Sequence, residues 1–117
     1  MARIPNADQA IVEDRKITHY LLSSNHPAGR PKATFFHRIG FRQSNWRRLR
    51  GVLLEHAHSG TVMSITDTRF GKKYTVEGPL RSPRAQAPLV RSIWFIRIGE
   101  AAPRLVTAYP VPEQTHD

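Results

Sequence analysis

The sequence predicts an α+β fold in which helices come first and a four-stranded antiparallel sheet follows. Apolar residues recur at spacings of three and four up to Ser59-Gly60, which is the helical period. From Thr61 onward the pattern alternates and is rich in β-branched residues, with Gly- and Pro-containing turns between the alternating segments. We therefore expect about three helices packed on one face of the sheet, with the other face left partly open.

Three segments of the first half have helical features. An arm or short strand over Ile4–Val12 leads to an acidic pair that favours a helix start, so we predict a first helix over Glu13–Leu22. A loop with two prolines and one glycine follows. A second helix is predicted over Lys32–Ile39, with Gly40 as its left-handed C-terminal cap. Ser44 is the predicted N-cap of a third helix, which ends just before the first strand.

The second half divides into four predicted strands. They cover residues 61–67, Lys73–Leu80, Leu89–Ile98 and Arg104–Tyr109. A hairpin turn at Phe70-Gly71-Lys72 joins the first two strands. Residues 81–88 contain two prolines and cannot lie inside a sheet, so we expect a connection there. Trp46, in the third helix, and Trp94, in the third strand, are assigned to the core.

The length and composition set the general class of protein. The chain has 117 residues and no cysteine, which suits one domain over residues 1–112 and a disordered tail over residues 113–117. Without cysteine, disulfides and thiolate metal sites are excluded, and a reducing cytoplasmic location is expected. The N-terminus has no apolar run typical of a signal peptide, and no segment reaches membrane-spanning length.

The charge is strongly positive, with 18 Lys and Arg against nine Asp and Glu, a net charge of +9. Such a surplus attracts polyanions, which are nucleic acid, an acidic protein or an anionic membrane. Arginine outnumbers lysine and matches phosphate geometry better. RNA is therefore the favoured partner and a membrane is not expected, while a merely basic, soluble surface is the plain alternative.

Several enzyme classes are excluded by missing motifs. The local histidine grouping is His56-Ala57-His58, whose members point in different directions on a helix, so we expect no metal. No Gly-rich phosphate loop, nucleophile elbow or paired-carboxylate motif occurs, and no cofactor is expected. The chemistry that remains is metal-free cleavage of RNA. There the 2′-hydroxyl is the nucleophile, and the enzyme moves protons and stabilises the pentavalent phosphate.

Five residues suit that chemistry. His26 can act as acid or base near neutral pH, and Lys32, in the first turn of its helix, can meet a phosphate drawn there by backbone amides. Arg91 can clamp the developing charge. Thr107, with Tyr109 on the same strand, can orient the phosphate or the 2′-hydroxyl. Each also has an ordinary interpretation, because loop histidines often cap helices and the other residue types are common on surfaces.

A second basic set is assigned to RNA binding. Its members are Arg30, Arg47, Arg48, Lys72, Lys73 and Arg97. Arg47 and Arg48 are most simply a solvated helix face, and Arg97 is most simply an exposed sheet residue, yet such surfaces also steer RNA.

A family resemblance is carried by several segments. They are Tyr20-Leu21-Leu22, Asn25-His26-Pro27-Ala28-Gly29, Lys32-Ala33-Thr34-Phe35-Phe36, Gly40-Phe41, Tyr74-Thr75-Val76-Glu77-Gly78-Pro79-Leu80, Ile93-Trp94-Phe95 and Leu105-Val106-Thr107-Ala108-Tyr109-Pro110. In this spacing the chain resembles an uncharacterised bacterial domain family. That family in turn resembles the barnase, EndoU, colicin and RelE-like (BECR) superfamily of metal-free ribonucleases, which are often toxins of polymorphic-toxin or toxin–antitoxin systems. The resemblance covers Asn6 to Pro110.

The resemblance implies a BECR-like fold with His26, Lys32 and Thr107 facing one cleft on the sheet. It also implies an endoribonuclease of toxin type that is held in check by an acidic antitoxin or immunity protein, which would suit a +9 surface. The alternative is a non-catalytic RNA- or protein-binding module. A third interpretation is an accessory subunit whose basic surface docks on an acidic partner.

Overall fold

The order of elements confirms the predicted α+β class, with a helical first half and an antiparallel sheet in the second half. A computed structural model describes residues 2–112. The tail predicted over residues 113–117 lies outside the described residues. Within the described part of the chain, no helix is both long enough and apolar enough to cross a membrane.

The N-terminal segment covers the start of the last strand. It contains a 3-10 turn, Ala7–Gln9, rather than a full strand. Ile11 alone forms a parallel bridge with Arg104. The Ile11 N–H donates to the Pro103 carbonyl at 2.8 Å, and the Leu105 N–H donates to the Ile11 carbonyl at 3.0 Å. The predicted arm is therefore anchored on one edge of the sheet.

The first predicted helix is α-helical only at its start. Helix α1 covers Asp14–Lys16, and a π-helix continues over Ile17–Leu21. The Leu22 N–H donates to the Ile17 carbonyl at 2.8 Å, a bond five residues long. The prediction of one regular helix over Glu13–Leu22 is therefore wrong for its second part, Ile17–Leu21. Apolar spacing reports which side is buried, but not whether a turn is widened by contacts made elsewhere in the fold.

Helix α2 covers Arg30–Arg38 and begins two residues earlier than predicted. Pro31 lies in its first turn, where a backbone N–H has no helical partner and its absence costs nothing. Gly40 follows the helix with φ 106, the left-handed conformation predicted for the cap.

Helix α3 covers Trp46–Ser59 and is preceded by a 3-10 turn, Gln43–Asn45. Ser44 lies inside that turn, so its prediction as the N-cap is wrong. Asn45 occupies the N-cap position instead, without a side-chain bond to α3. Its side-chain oxygen accepts the Arg42 N–H at 2.6 Å, which closes the preceding 3-10 turn. The two polar residues are adjacent, and the sequence pattern does not show which of them occupies the N-cap position.

The sheet is a meander with strand order β1-β2-β3-β4, all antiparallel. The strands are β1 Thr61–Thr68, β2 Gly71–Pro79, β3 Leu89–Arg97 and β4 Arg104–Pro110. Each predicted strand is present, with bounds that differ by at most two residues. The hairpin turn lies at Arg69 and Phe70, and Gly71 is already in β2.

The helices pack on one face of the sheet, as predicted. Helix α3 contacts β2 and β3, while α1 and α2 contact β4. Trp94 is fully buried in this core, which confirms its assignment, whereas Trp46 is half-buried and packs against the core. Residues paired directly across antiparallel strands share a face. The opposite side, called here the outer face, therefore carries the residues that alternate with Val90, Ser92 and Trp94 along β3.

Candidate functional site

A groove of about 620 Å³ lies where the first helical segment and the following loop meet the edge strand β4. Lys16, His19, Tyr20 and His26 line one side of it, and Val106 and Thr107 line the other. Arg15 and Glu13 complete the lining. We call this the Tyr20 groove. Its lining includes two cationic side chains and two imidazoles against one carboxylate, a balance of charge that suits an anion.

Tyr20 is the central side chain of the groove. Its hydroxyl and the Thr107 hydroxyl lie 2.9 Å apart. The ammonium groups of Lys16 and Lys32 lie 5.3 and 5.4 Å from the centre of its ring. The His26 ring meets it edge-on, with centroids 5.0 Å apart. The Tyr20 side chain is thus surrounded by residues from the first helical segment, the loop, α2 and β4.

Local backbone features place these side chains. Tyr20 belongs to the π-helix, an irregularity that is frequent at functional sites. Gly29 allows the loop to pass close to it, because a Cβ there would lie 2.1 Å from the Tyr20 carbonyl oxygen. On the other side, Thr107 pairs with Ile93 at a β-bulge.

The bulge decides which way Thr107 points. Trp94 pairs with Leu105 and Ile93 pairs with Thr107, so Val106 is the extra residue of β4. Simple alternation would put Leu105 and Thr107 on the same face. With the bulge, Leu105 enters the core and Thr107 reaches Tyr20 at the sheet edge.

His26 is held in one tautomer by the backbone. Its Nδ1 accepts the N–H groups of Ala28 at 3.1 Å and of Gly29 at 3.0 Å, just before α2 begins. The neutral ring therefore carries its hydrogen on Nε2. In this state the exposed imidazole can donate to a ligand but cannot accept its proton. The ordinary interpretation of His26 as a cap and its interpretation as a phosphate-binding residue are both compatible with this geometry.

Lys32 is half-buried and lies against the same ring. Its ammonium donates to the Ala28 carbonyl at 3.0 Å, which leaves two of its three N–H groups for a ligand. The bond to a carbonyl four residues earlier orients the side chain back over the loop toward Tyr20. Lys32, His26 and Thr107 are therefore brought together around Tyr20.

Arg91 and Tyr109 form a second group on the outer face, next to Thr107 along β4. They pair directly across β3 and β4, and the guanidinium lies 5.8 Å from the ring centre. Glu77, across β2, accepts from Arg91 Nε at 2.8 Å and lies 2.6 Å from its Nη2. The Glu77 carboxylate and the Tyr109 hydroxyl raise the pKa of Arg91 above its already high ordinary value. Arg91 thus stays charged and is fixed in direction.

The predicted RNA-binding residues are spread over separate places. Arg30 is the first residue of α2, and Arg47 and Arg48 lie in the first turn of α3, where the Arg47 guanidinium lies 4.5 Å from the Trp46 ring centre. The other three lie at the hairpin end of the sheet. They are Lys72, which faces Asp67 at 3.6 Å, Lys73, and Arg97, which faces Glu100 at 3.9 Å. These assignments remain predictions, and they describe a charged surface rather than one pocket.

The two histidines at the end of α3 have different environments, as expected. His56 is buried and His58 is exposed. The Ser92 hydroxyl lies 2.7 Å from His56 Nδ1, and the Gly78 carbonyl lies 3.0 Å from Nε2. Burial lowers the pKa of His56 below its usual value. Across residues 2–112, no group of three or more His, Asp or Glu is arranged to hold a metal ion.

Three residues of these two groups were missed by the sequence analysis. Tyr20 was quoted only as part of a family pattern, and Lys16 was given no role. Their spacing of four residues was a usable signal, because such pairs are neighbours on a helix. Glu77 had no local signal, since its contact with Arg91 depends on the register between β2 and β3.

Comparison with known proteins relates this geometry to other chains. No curated protein sequence matches the chain. A solved structure, described as a contact-dependent growth inhibition toxin and immunity protein complex from Klebsiella pneumoniae 342, contains a similar chain with a TM-score of 0.72. The identity is 14%, and the match covers 92% of this chain and 97% of that one. At that identity the likeness shows a shared fold.

The family model that matches is described as a domain of unknown function, DUF6883, and it covers residues 3–112. Because that match spans nearly the whole sequence, the chain belongs to the DUF6883 family.

Proposed function

We propose that the chain is a toxin-type endoribonuclease that cleaves RNA by 2′-hydroxyl attack, needs no metal, and is held in check by an acidic immunity protein. The observation that carries this proposal is the Tyr20 groove, where His26, Lys16, Lys32 and Thr107 surround one ring. The resemblance to BECR ribonucleases and the fold shared with a chain from a toxin–immunity complex both support it.

In the proposed reaction the RNA phosphate lies in the Tyr20 groove. The 2′-oxygen attacks phosphorus, the bond from phosphorus to the 5′-oxygen breaks, and a 2′,3′-cyclic phosphate forms. The proton of the 2′-hydroxyl passes to Glu13, the carboxylate that lines the groove, and the departing 5′-oxygen takes a proton from water. The His26 Nε2–H, the lysine ammonium groups and the Thr107 hydroxyl stabilise the pentavalent phosphate.

Arg91 and Tyr109 contact the same phosphate from the outer face of the sheet. Arg91 carries a fixed positive charge, since Glu77 holds its guanidinium in place. Tyr109 lies two residues beyond Thr107 on β4, so both groups can reach RNA that enters the groove across the outer face. Preorganised charges of this kind stabilise a transition state without first having to reorient.

The immunity partner is proposed from charge. A net charge of +9 on 117 residues favours an acidic protein that covers the RNA-binding surface. The solved complex pairs its toxin with an immunity protein, which is the kind of partner proposed here.

Incubation of the purified protein with total RNA in EDTA tests the activity. We expect fragments ending in a 2′,3′-cyclic phosphate and a 5′-hydroxyl, and loss of cleavage when the residue at the cut site is 2′-deoxy. Lys32→Ala should reduce the rate by at least about tenfold. Arg81→Ala is the matched control, because Arg81 is an exposed cation facing Glu55 at 3.4 Å, outside both groups.

The substitution His26→Asn tests the proposed role of His26 in cleavage separately from its role in capping the loop. An Asn oxygen can accept the Ala28 and Gly29 N–H groups in place of Nδ1, but the variant has no group at the position of Nε2. We expect a folded protein with at least about tenfold slower cleavage, and His58→Asn as an unaffected control. Intact RNA with the wild type, or cleavage that survives both His26→Asn and Lys32→Ala, rejects the nuclease. Tight but salt-sensitive binding of intact RNA would instead identify a non-catalytic module.

A further inference from the structure

Three neighbouring strands place an aromatic ring between two cations on the outer face. Phe95 of β3 pairs directly with Lys73 of β2 on one side and with Arg104 of β4 on the other. The phenyl ring is half-buried, Lys73 is exposed, and Arg104 is half-buried. We call these three residues the Phe95 row. No helix lies over it, because the helices pack on the opposite face.

The charges on this face are suited to an anion. The strand residues of the outer face include four basic side chains and one carboxylate, counted from the strand pairings. They are Lys73, Arg91, Arg97, Arg104 and Glu77. Glu77 is occupied by Arg91, and Glu100, which follows β3, faces both Arg97 and Arg104. Within residues 2–112, Lys73 makes no ion pair, so its charge is available to a ligand.

The Phe95 row adjoins the Tyr20 groove. Arg104 faces Glu13 at 3.5 Å, and Glu13 lines the groove. Arg104 also faces Glu100 at 3.6 Å. Along β3, Phe95 lies two residues from Ile93, the partner of Thr107, so the two positions are about 7 Å apart along the strand. An RNA strand with a phosphate at Thr107 can therefore place its next nucleotide on Phe95.

We propose that the Phe95 row is a binding subsite for single-stranded RNA, in which a base stacks on Phe95 while Lys73 and Arg104 hold the adjoining phosphates. This deepens the function proposed above and rests on it for the position of the cut phosphate. Every base has a face that can stack, so the subsite selects an unpaired strand rather than a sequence. Paired bases in a duplex keep their faces covered and cannot use it.

Binding is tested with a non-cleavable probe. The probe is fluorescein-labelled 2′-O-methyl oligouridylate of about ten nucleotides, followed by fluorescence anisotropy, because it lacks the attacking hydroxyl. Phe95→Ala should raise the Kd by about fivefold to a hundredfold, while Phe95→Tyr should bind as the wild type does. The matched control is Phe70→Ala. Phe70 is an aromatic residue, 66% exposed, in the β1–β2 turn, with the Arg69 guanidinium 4.9 Å from its ring centre.

The outcomes separate this proposal from the nuclease proposal. A wild-type protein that ignores the probe, a Phe95→Ala Kd within about twofold of wild type, or an equal loss in Phe70→Ala overturns the subsite, even if RNA is still cleaved. Selective weakening by Phe95→Ala supports it, even if natural RNA is not cleaved. Equal affinity for a duplex of the same length also overturns it. Circular dichroism and thermal melting check that Phe95→Ala is folded.

Discussion

The hydroxyls of Tyr20 and Thr107 lie 2.9 Å apart although 87 positions separate the two residues in the sequence. One belongs to the π-helix near the start of the chain and the other to the last strand. The contact closes the Tyr20 groove at the sheet edge. Helical half and sheet half therefore contribute jointly to the candidate site, and neither contains it alone.

The hydroxyl contact predicts coupling between the two residues. Tyr20→Phe and Thr107→Val should each lower the free energy of unfolding by about 0.5–1.5 kcal/mol. The double variant should lose less than the two single losses combined, because both remove the same bond. Urea unfolding of the four proteins measures this cycle. Strict additivity would show that the two hydroxyls do not interact in solution, and Thr107→Ser should keep the bond.

Two glycines predict opposite effects of the same substitution. Gly29→Ala puts a Cβ 2.1 Å from the Tyr20 carbonyl oxygen, so it should destabilise the protein by at least about 2 kcal/mol and slow cleavage. In Gly51→Ala, at an exposed position of helix α3, the added Cβ meets nothing within 4 Å and should stabilise the protein by about 0.5–1 kcal/mol. Thermal and urea unfolding compare the pair. Equal effects of the two substitutions would contradict the close approach at Gly29.

Buried His56 predicts a loss of stability in mild acid. Burial lowers the pKa of His56 in the folded state, while an unfolded histidine titrates near 6.5. Below about pH 6.5 the unfolded chain binds a proton that the folded chain does not. The free energy of unfolding therefore decreases as the pH is lowered, by up to about 1.4 kcal/mol per pH unit. Above that pH the contribution of His56 is fully present. Urea unfolding between pH 7.5 and 5.5 measures the slope.

Variants of the two α3 histidines identify the source of that slope. His56→Gln should flatten it, at a cost of about 1–3 kcal/mol at pH 7.5, because the hydrogen bonds to Ser92 and Gly78 are altered. His58→Gln changes an exposed side chain on the same helix and should leave the slope as it is. An unchanged slope in His56→Gln would assign the acid sensitivity to other groups.

The Arg91–Glu77 pair predicts different effects on stability and activity. Glu77→Gln should lower the free energy of unfolding by about 1 kcal/mol, since the pair is only partly shielded from solvent. The variant still has Arg91 charged, so cleavage should continue. Arg91→Lys keeps the charge but loses the planar guanidinium, and cleavage should fall by at least about tenfold. Equal activity of Arg91→Lys and wild type would show that the Arg91 guanidinium does not contribute to cleavage.

The sequence was a good guide to the elements and a partial guide to the site. All four strands and the approximate place of each helix follow from period, because burial of one face imposes a spacing that a single sequence shows directly. The local widening at Ile17–Leu21 does not follow, nor does the N-cap position of Asn45 rather than Ser44. Both depend on the path of the backbone, which the apolar period does not report.

By itself the sequence determined the α+β order, the burial of Trp94, the surplus of positive charge and a short set of residues suited to metal-free phosphate chemistry. Only the tertiary structure decided that Lys32, His26 and Thr107 gather around Tyr20, while Arg91 is held by Glu77 on the outer face. The reason is physical. Period and composition are local properties, whereas a groove is made by the register of strands, one β-bulge and the packing of a loop against a sheet edge.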